Sequence, residues 1–163
     1  MADLEAPESK LKIMYLGVEK AERTMLEGLG GPFGAVIVKG NEVISISSNC
    51  VLASKDPTAH AEIVAIREAC KKLNTYDLSG CELYATGYPC PMCLGAIMWA
   101  NIKKVYVCGL PEDCKKIGFR DDFMYDYIVS GRNDDSVLKV EYLDRAPAIS
   151  LYAKYADMQK IIY

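Results

Sequence analysis

The chain has 163 residues, of which 51% are hydrophobic and 25% charged, and its net charge is −3. This balance predicts a single globular domain, residues 1–163, and the lack of a basic block disfavours a partner held mainly through phosphates. No segment reaches the ~18 apolar residues of a membrane span, and the N-terminus lacks the apolar run of a signal peptide. Seven cysteines, without the spacing of a secreted disulfide framework, favour a cytoplasmic protein with free or metal-bound thiols.

The first half of the chain predicts a helix, a hairpin and a second helix. Residues 9–27 form an amphipathic pattern, and residues 35–49 predict two strands around a Gly-Asn turn. The apolar positions of the first helix are Leu11, Met14, Tyr15, Val18, Ala21 and Met25. The motif "DPT" opens the second helix with Thr58 as the expected N-cap, and its buried positions are Ile63, Ile66, Cys70 and Leu73.

The second half predicts alternating strands and helices. Strands are expected at 81–86, 104–110 and 137–143, and helices at 91–101, 111–118, 121–129 and 148–160. The order of elements implies an α/β fold with three layers, in which helices cover both faces of a mixed sheet.

The stretch "GYPCPMCLGAIMWAN" carries two cysteines three residues apart. Pro91 is favoured at the first position of a helix, so it places Cys90 at a helix N-terminus and Cys93 on the same face. A helix N-terminus favours negative charge, which promotes the thiolate form of both sulfurs. The pair is therefore half of a tetrahedral metal site, although it could also be a redox dithiol or part of a structural zinc site.

His60 is the sole histidine of the sequence, and Glu62 follows it near a helix start. His60, Cys90 and Cys93 together give three zinc ligands and one open position, the pattern of a catalytic rather than a structural zinc. Spacing alone does not bring Glu62 to this site, because residues two apart on a helix point in different directions. The other cysteines fit small buried hydrophobic positions: Cys50, Cys70, Cys81, Cys108 and Cys114.

The pattern His60-x-Glu62, followed by Pro89-Cys90-x-x-Cys93, is the signature of zinc-dependent nucleobase deaminases. With "GGPFGAVIV", "DPTAHAE", "PCPMCLGAI", "GF-x-D" and a final tyrosine, the chain resembles the cytidine deaminase superfamily and, within it, the bacterial guanine deaminases. The resemblance implies a five-stranded sheet, one Zn²⁺ per chain, and hydrolysis of guanine to xanthine and ammonia with Glu62 moving protons. It also implies a homodimer in which a C-terminal segment of about 111–163 is exchanged between subunits.

The same resemblance suggests further site residues. Asn49 would contact the base, Phe33 and Trp99 would be aromatic walls, Asp121 would be a second acid, and Tyr163 would be a lid, with Asp121 and Tyr163 reaching the partner's pocket. Ordinary structural roles remain open: a turn for Asn49, packing for Phe33 and Trp99, and an N-cap for Asp121 or its neighbour.

Two positions depart from the family pattern. Tyr88 stands where many relatives have glutamate, and "GFRDD" leaves Asp121 or Asp122 as the matching acid. Asp121 is preferred because it keeps the spacing from Cys93 without a gap. Both departures bear on the choice of substrate more than on zinc chemistry.

Other functions share part of the pattern. A deaminase of adenosine in tRNA needs a basic surface, whereas residues 111–163 hold ten acidic and eight basic side chains, so a nucleic-acid partner is disfavoured. Cytosine or a nucleoside such as guanosine remains an alternative substrate. A non-enzymatic zinc-stabilised interaction module would need a fourth ligand rather than Glu62, and a thioredoxin-like redox protein would leave His60 and Glu62 unexplained.

Overall fold

The computed structural model of the chain describes residues 7–158, 160 and 162. In chain order, its elements are α1 (Pro7–Leu26), β1 (Gly34–Lys39), β2 (Glu42–Ser48), α2 (Val51–Ser54), α3 (Ala61–Leu73), β3 (Cys81–Gly87), α4 (Pro91–Trp99), β4 (Lys104–Gly109), α5 (Pro111–Lys116), α6 (Asp122–Val129) and α7 (Ala146–Ala156). The chain divides into two compact units, one ending at Asp121 and the other beginning at Asp122. No helix in the described ranges is long and apolar enough to cross a bilayer.

The sheet of the first unit is mixed, as predicted, and has the order β2-β1-β3-β4. Strand β1 runs antiparallel to β2 and β3, whereas β3 and β4 are parallel. The expectation of five strands was wrong: the described part of the chain forms four, and residues 137–143 are not a strand. The amides of Val137 and Leu138 bond instead to the carbonyl of Asp134, which closes a turn where the strand was expected to begin.

Helices cover both faces of this sheet, which confirms the three-layer architecture. On one face, side chains of α1 pack on Val36, Val38 and Tyr84. On the other face, α3 and α4 bury a larger core that includes Ile37 and Leu83 of the central strands. The central strands are therefore buried on both sides and fix the positions of the loops at their ends.

The buried face of α1 differs from the predicted one. Met14 and Ala21 are buried as expected, but Leu11, Tyr15, Val18 and Met25 are exposed. The face that meets the sheet consists of Ile13 and Met14 followed by the smaller residues Gly17, Ala21 and Thr24. The reason is a close backbone crossing, since a Cβ on Gly34 of β1 would lie only 2.0 Å from the carbonyl oxygen of Gly17.

The start of α3 also lies later than predicted. Thr58 is not the N-cap; its amide and hydroxyl donate to Oδ1 of Asp56 at 2.8 and 2.7 Å in a turn before the helix. The N-cap is His60, which has extended backbone angles of φ −66° and ψ 156°. Ile63 is buried, and the other predicted positions pack partly buried against the core: Ile66, Cys70 and Leu73.

The second unit has little core of its own. Among its described residues only Tyr127 is buried, and its hydroxyl donates to the carbonyl of Leu138 at 3.1 Å. Apolar side chains on the turn and on α7 are exposed: Leu138, Val140, Tyr142, Leu143, Leu151 and Tyr152.

Candidate active site

Three predicted zinc ligands converge where α3 and α4 begin. His60 is the N-cap of α3 and Cys90 is the N-cap of α4, while Cys93 lies buried in the first turn of α4. Nδ1 of His60 lies 3.6 Å from Sγ of Cys90 and 3.6 Å from Sγ of Cys93. All three donor atoms lie within 4.8 Å of one another.

These distances fit a tetrahedral zinc. Bonds of ~2.0 Å to nitrogen and ~2.3 Å to sulfur place the two atoms about 3.5 Å apart at the tetrahedral angle. Both nitrogen–sulfur separations have nearly that value. One imidazole and two thiols are also a donor set that zinc prefers, and three ligands leave a fourth position open. His60, Cys90 and Cys93 could therefore hold a zinc ion with the three-ligand arrangement that catalytic zinc sites use.

Without a metal, the three groups share protons through hydrogen bonds. The Cys93 thiol, followed by His60, lowers the pKa of Cys90 to about 4. The same interaction with Cys90, together with burial, raises the pKa of Cys93, and the contact with Cys90 raises the pKa of His60. Two helix N-termini meet here, and their partial positive charge further favours a thiolate ready for a metal.

Glu62 reaches this cluster although it is only two residues from His60. Because His60 is an extended N-cap outside the helix, the two side chains escape the divergence of regular helical positions. The Glu62 side chain is 7% exposed and hydrogen-bonds with Cys93. Burial raises its pKa, with the negative charge of Cys90 acting in the same direction. A buried carboxyl of raised pKa beside a metal site is suited to accept and return protons.

Asp121 lies in the same unit as the zinc ligands. Its charge contributes to the raised pKa of His60 in its own chain, after the larger effects of Cys90 and Glu62. Asp122 instead begins α6, where its Oδ1 accepts a hydrogen bond from the amide of Phe123 at 3.1 Å. The charge of Asp121 thus acts on His60 of its own chain, whereas Asp122 is hydrogen-bonded at the start of α6.

Asn49 is buried at the end of β2, next to the glycine-rich loop. Its Oδ1 accepts hydrogen bonds from the amides of Gly31 and Val51, each at 3.2 Å. These two donors occupy both lone pairs of the oxygen and fix the amide orientation. Asn49 therefore stabilises a turn, and what it can offer a ligand is the N–H donors of Nδ2.

The predicted aromatic residues lie in different environments. Phe33 packs against the core, and its ring makes an edge-to-face contact with Phe119. Trp99 is 74% exposed at the far end of α4, about 13 Å along the axis and half a turn around from Cys90, so it does not reach its own chain's zinc site. Tyr88 is exposed between β3 and α4, and Tyr163 lies outside the described residues.

The sequence analysis assigned no role of their own to Phe119 and Gly31, although both lie in the motifs "GF-x-D" and "GGPFGAVIV", and it took Cys114 for a small buried position. A Cβ on Gly31 would lie 3.0 Å from Cζ of Phe119, and one on Gly87 would lie 3.1 Å from Sγ of Cys114. The run "KKIGF", with a glycine just after a short helix, is the signal that predicts how the chain turns here.

Comparison with known proteins decides the family. The model of the cytidine and deoxycytidylate deaminase zinc-binding region matches residues 7–109, a span that holds all three zinc ligands and Glu62. The chain belongs to this deaminase family. Family membership and the geometry agree that the bound metal is zinc.

Within the family, two curated relatives align at similar identity. Guanine deaminase of Bacillus subtilis is 54% identical over 98 residues, which is 60% of this chain and 63% of that protein. The tRNA-specific adenosine deaminase of Aquifex aeolicus is 54% identical over 99 residues, or 61% of this chain and 65% of that protein. The aligned part thus spans just under two thirds of each relative's length.

A solved structure extends the likeness through most of the chain. The X-ray structure of the Bacillus subtilis guanine deaminase superposes with a TM-score of 0.86 at 38% identity. The match covers 93% of this chain and 97% of that one, so it includes most of the second unit as well as the zinc region.

Proposed function

We propose that this deaminase hydrolyses guanine to xanthine and ammonia. The observation that carries the proposal is the superposition on a guanine deaminase over 93% of the chain. The family domain common to other deaminases ends at residue 109. The superposition of the remaining third of the chain is therefore what supports a guanine deaminase over the other members of the family.

The balanced reaction is guanine plus water giving xanthine plus ammonia. His60, Cys90 and Cys93 would hold the zinc, which when bound supplies water with a pKa lowered from ~15.7 towards ~7. Glu62 takes a proton from the attacking water and gives it to the ring nitrogen beside the carbon that bears the amine. Glu62 or Asp121 then passes the second proton of that water to the amine, which leaves as ammonia while the water oxygen becomes the new carbonyl oxygen of xanthine.

The hydrogen bonds of Asn49 favour guanine over adenine as the substrate. Guanine presents two adjacent acceptors, O6 and N7, whereas adenine presents an acceptor and the N6 donor. An asparagine pairs with both groups of adenine only if its oxygen can accept a hydrogen bond. Oδ1 of Asn49 already accepts two bonds from Gly31 and Val51, so this side chain is suited to a base edge that carries acceptors.

The active form is proposed to be a homodimer. Helix α4 is apolar on nearly all sides yet exposes Met98 and Trp99, and a helix of that kind is normally covered. The second unit adds exposed apolar surface and has almost no core. The resemblance implied exchange of about 111–163. We propose the shorter segment 122–163, because the second compact unit begins at Asp122 and the charge of Asp121 acts on His60 of its own chain. Tyr163 would be the lid on the partner's site.

A cytoplasmic location is also proposed. All seven cysteines, which lie within the described part of the chain, are free. Free thiols and a Cys-rich zinc site persist in a reducing compartment.

Ammonia release from purified, zinc-loaded protein tests the proposed reaction across guanine, guanosine, adenine, cytosine and cytidine. We expect guanine to be the preferred substrate by kcat/KM. Preference for another member of the panel, or no ammonia from guanine, would reject the assignment.

A further inference from the structure

We propose that Phe119 is a positioning residue that clamps the Asp121 loop onto the glycine-rich loop carrying Gly31. This inference rests on the proposed function, in which Asp121 moves protons during deamination. The clamp has three parts: the end of α5, the contacts of the Phe119 ring, and the short link to Asp121.

The end of α5 aims Phe119 away from the helix. The amide of Gly118 donates to the carbonyl of Lys115 at 3.0 Å, and the amide of Phe119 donates to that of Cys114 at 3.1 Å. Gly118 has φ +94°, a value that side chains strongly disfavour. Together these features form a Schellman motif, which fixes the direction of the chain after the helix.

The ring of Phe119 packs closely against Phe33 and Gly31. It meets Phe33 edge to face, with ring centroids 5.0 Å apart and planes at 89°. Cζ and Cε1 of Phe119 lie 3.0 and 3.3 Å from where a Cβ on Gly31 would stand, so a side chain there would press on the ring. Phe33 itself packs on the core and against Gly87 at the end of β3, so the ring is anchored to the sheet.

Asp121 follows the clamped ring by two residues. Two residues of backbone span at most about 7 Å, so fixing Phe119 limits where the Asp121 carboxylate can go. The same Gly31 also donates its amide to Oδ1 of Asn49. Phe119 therefore holds together the loops that carry the proposed second acid and the proposed base contact.

The test is a double-mutant cycle with a matched control. Phe119→Ala should lower kcat for guanine about tenfold or more, because misplacement by about 1 Å costs up to about 100-fold. Ile117→Ala removes an apolar side chain of similar exposure, 57% against 47%, from the same turn and should leave kcat within about twofold. In an Asp121→Ala background, Phe119→Ala should change the residual kcat by less than about twofold. The proposal would be overturned if Phe119→Ala lowered kcat equally in both backgrounds, or if Phe119→Ala alone left the kcat of the otherwise unchanged protein as it was.

Two further measurements keep the outcome decisive. If Phe119→Ala does not fold, Gly31→Ala replaces it, because the added methyl group would press on the Phe119 ring. The kcat of Gly31→Ala is then measured in the parent and Asp121→Ala backgrounds. If the parent protein does not deaminate guanine, the proposed function fails, and the clamp is judged by hydrogen exchange of the amides of residues 117–121. Faster exchange in Phe119→Ala but not in Ile117→Ala supports the clamp, and unchanged exchange in both rejects it. Zinc content should equal that of the parent in every variant except those that fail to fold.

Discussion

At the scale of single residues, the site depends on one backbone choice at His60. An N-cap residue keeps an extended backbone, so its side chain need not follow the angular spacing of the helix. This lets His60 and Glu62 approach the same pair of sulfurs from one short segment. The arrangement would let the histidine bind a metal ion while the buried Glu62 carboxyl remains available for proton transfer.

Replacing Glu62 by glutamine should abolish most turnover and leave the metal in place. The amide has nearly the same shape but cannot exchange protons, and general acid–base catalysis is worth ~10²–10⁴-fold. The matched control is Glu68→Gln on the same helix, where the side chain accepts a 2.6 Å hydrogen bond from Ser47 away from the cluster. Steady-state kinetics should give a kcat at least about 100-fold lower for the first variant only. More than about a tenth of parental activity in Glu62→Gln would show that its proton role is misassigned.

The protein should bind one zinc ion per chain, and this binding should depend on Cys93. Elemental analysis is expected to find about one zinc per chain in the parent protein and in Cys108→Ser, whose thiol is exposed on β4. Cys93→Ser should lose most of the metal, because a neutral hydroxyl replaces a thiolate ligand. Undiminished zinc in Cys93→Ser would contradict the ligand assignment.

At the scale of elements, the close crossing of α1 and β1 defines one face of the domain. Two glycines meet at this crossing, yet their environments differ. A Cβ on Gly34 would lie 2.0 Å from the backbone oxygen of Gly17, whereas a Cβ on Gly17 would contact Val36 and Thr86 at 3.4 and 3.5 Å. The helix can therefore lie against the strand only while residue 34 has no side chain.

Gly34→Ala should destabilise the protein, and Gly17→Ala should not. The first change forces the helix away from the sheet and should cost about 1–3 kcal/mol or more. The second places a methyl group in ordinary contact and improves helix propensity by up to about 1 kcal/mol. Urea unfolding of the zinc-loaded proteins measures both, and a smaller loss for Gly34→Ala than for Gly17→Ala would refute this description of the crossing.

Elements with a strong local signal were predictable from sequence, and those set by distant contacts were not. Helix α4 starts at Pro91 as expected, and the hairpin turns at Gly40. The buried side of α1 was only partly predicted: Tyr15 and Val18 were taken to face the core, whereas the close crossing with Gly34 places Gly17 against the strand. Residues 137–143 have a strand-like composition, but the turn at Asp134 takes up the first amides that a ladder would use.

The same distinction holds for the site. The spacing of His60, Cys90 and Cys93 sufficed to predict that these side chains lie together, because each lies at a helix start that sequence can mark. The contact of Phe119 with Gly31 joins residues 88 positions apart and depends on the loop conformation, which composition does not encode. Trp99 was misplaced for its own chain because helical geometry carries it away from Cys90.

At the scale of the whole molecule, the proposed exchange makes separate predictions for two pairs of inactive variants. Each pair is unfolded and refolded together so that mixed dimers form. Glu62→Gln mixed with a chain ending at residue 158 should regain activity, since one site combines an intact Glu62 with an intact tail from the partner. Glu62→Gln mixed with Asp121→Ala should regain none, because the proposed site takes both residues from one chain.

Light scattering must first show that the parent protein is a dimer, and mass spectrometry that the mixtures contain mixed dimers. Rescue in the second pair would place Asp121 in the partner's site. If the first pair regained no activity, the proposed exchange of the lid would be rejected, but the proposed zinc chemistry would not be affected.

The central claim is the identity of the substrate, and one competition measurement tests it most directly. Zinc-loaded protein is given guanine and a tRNA anticodon stem-loop containing adenosine, the substrates that the names of its two curated relatives indicate. We expect xanthine to form from guanine, with no inosine above the amount formed by the Glu62→Gln variant. Inosine formation in the stem-loop together with unchanged guanine would contradict it.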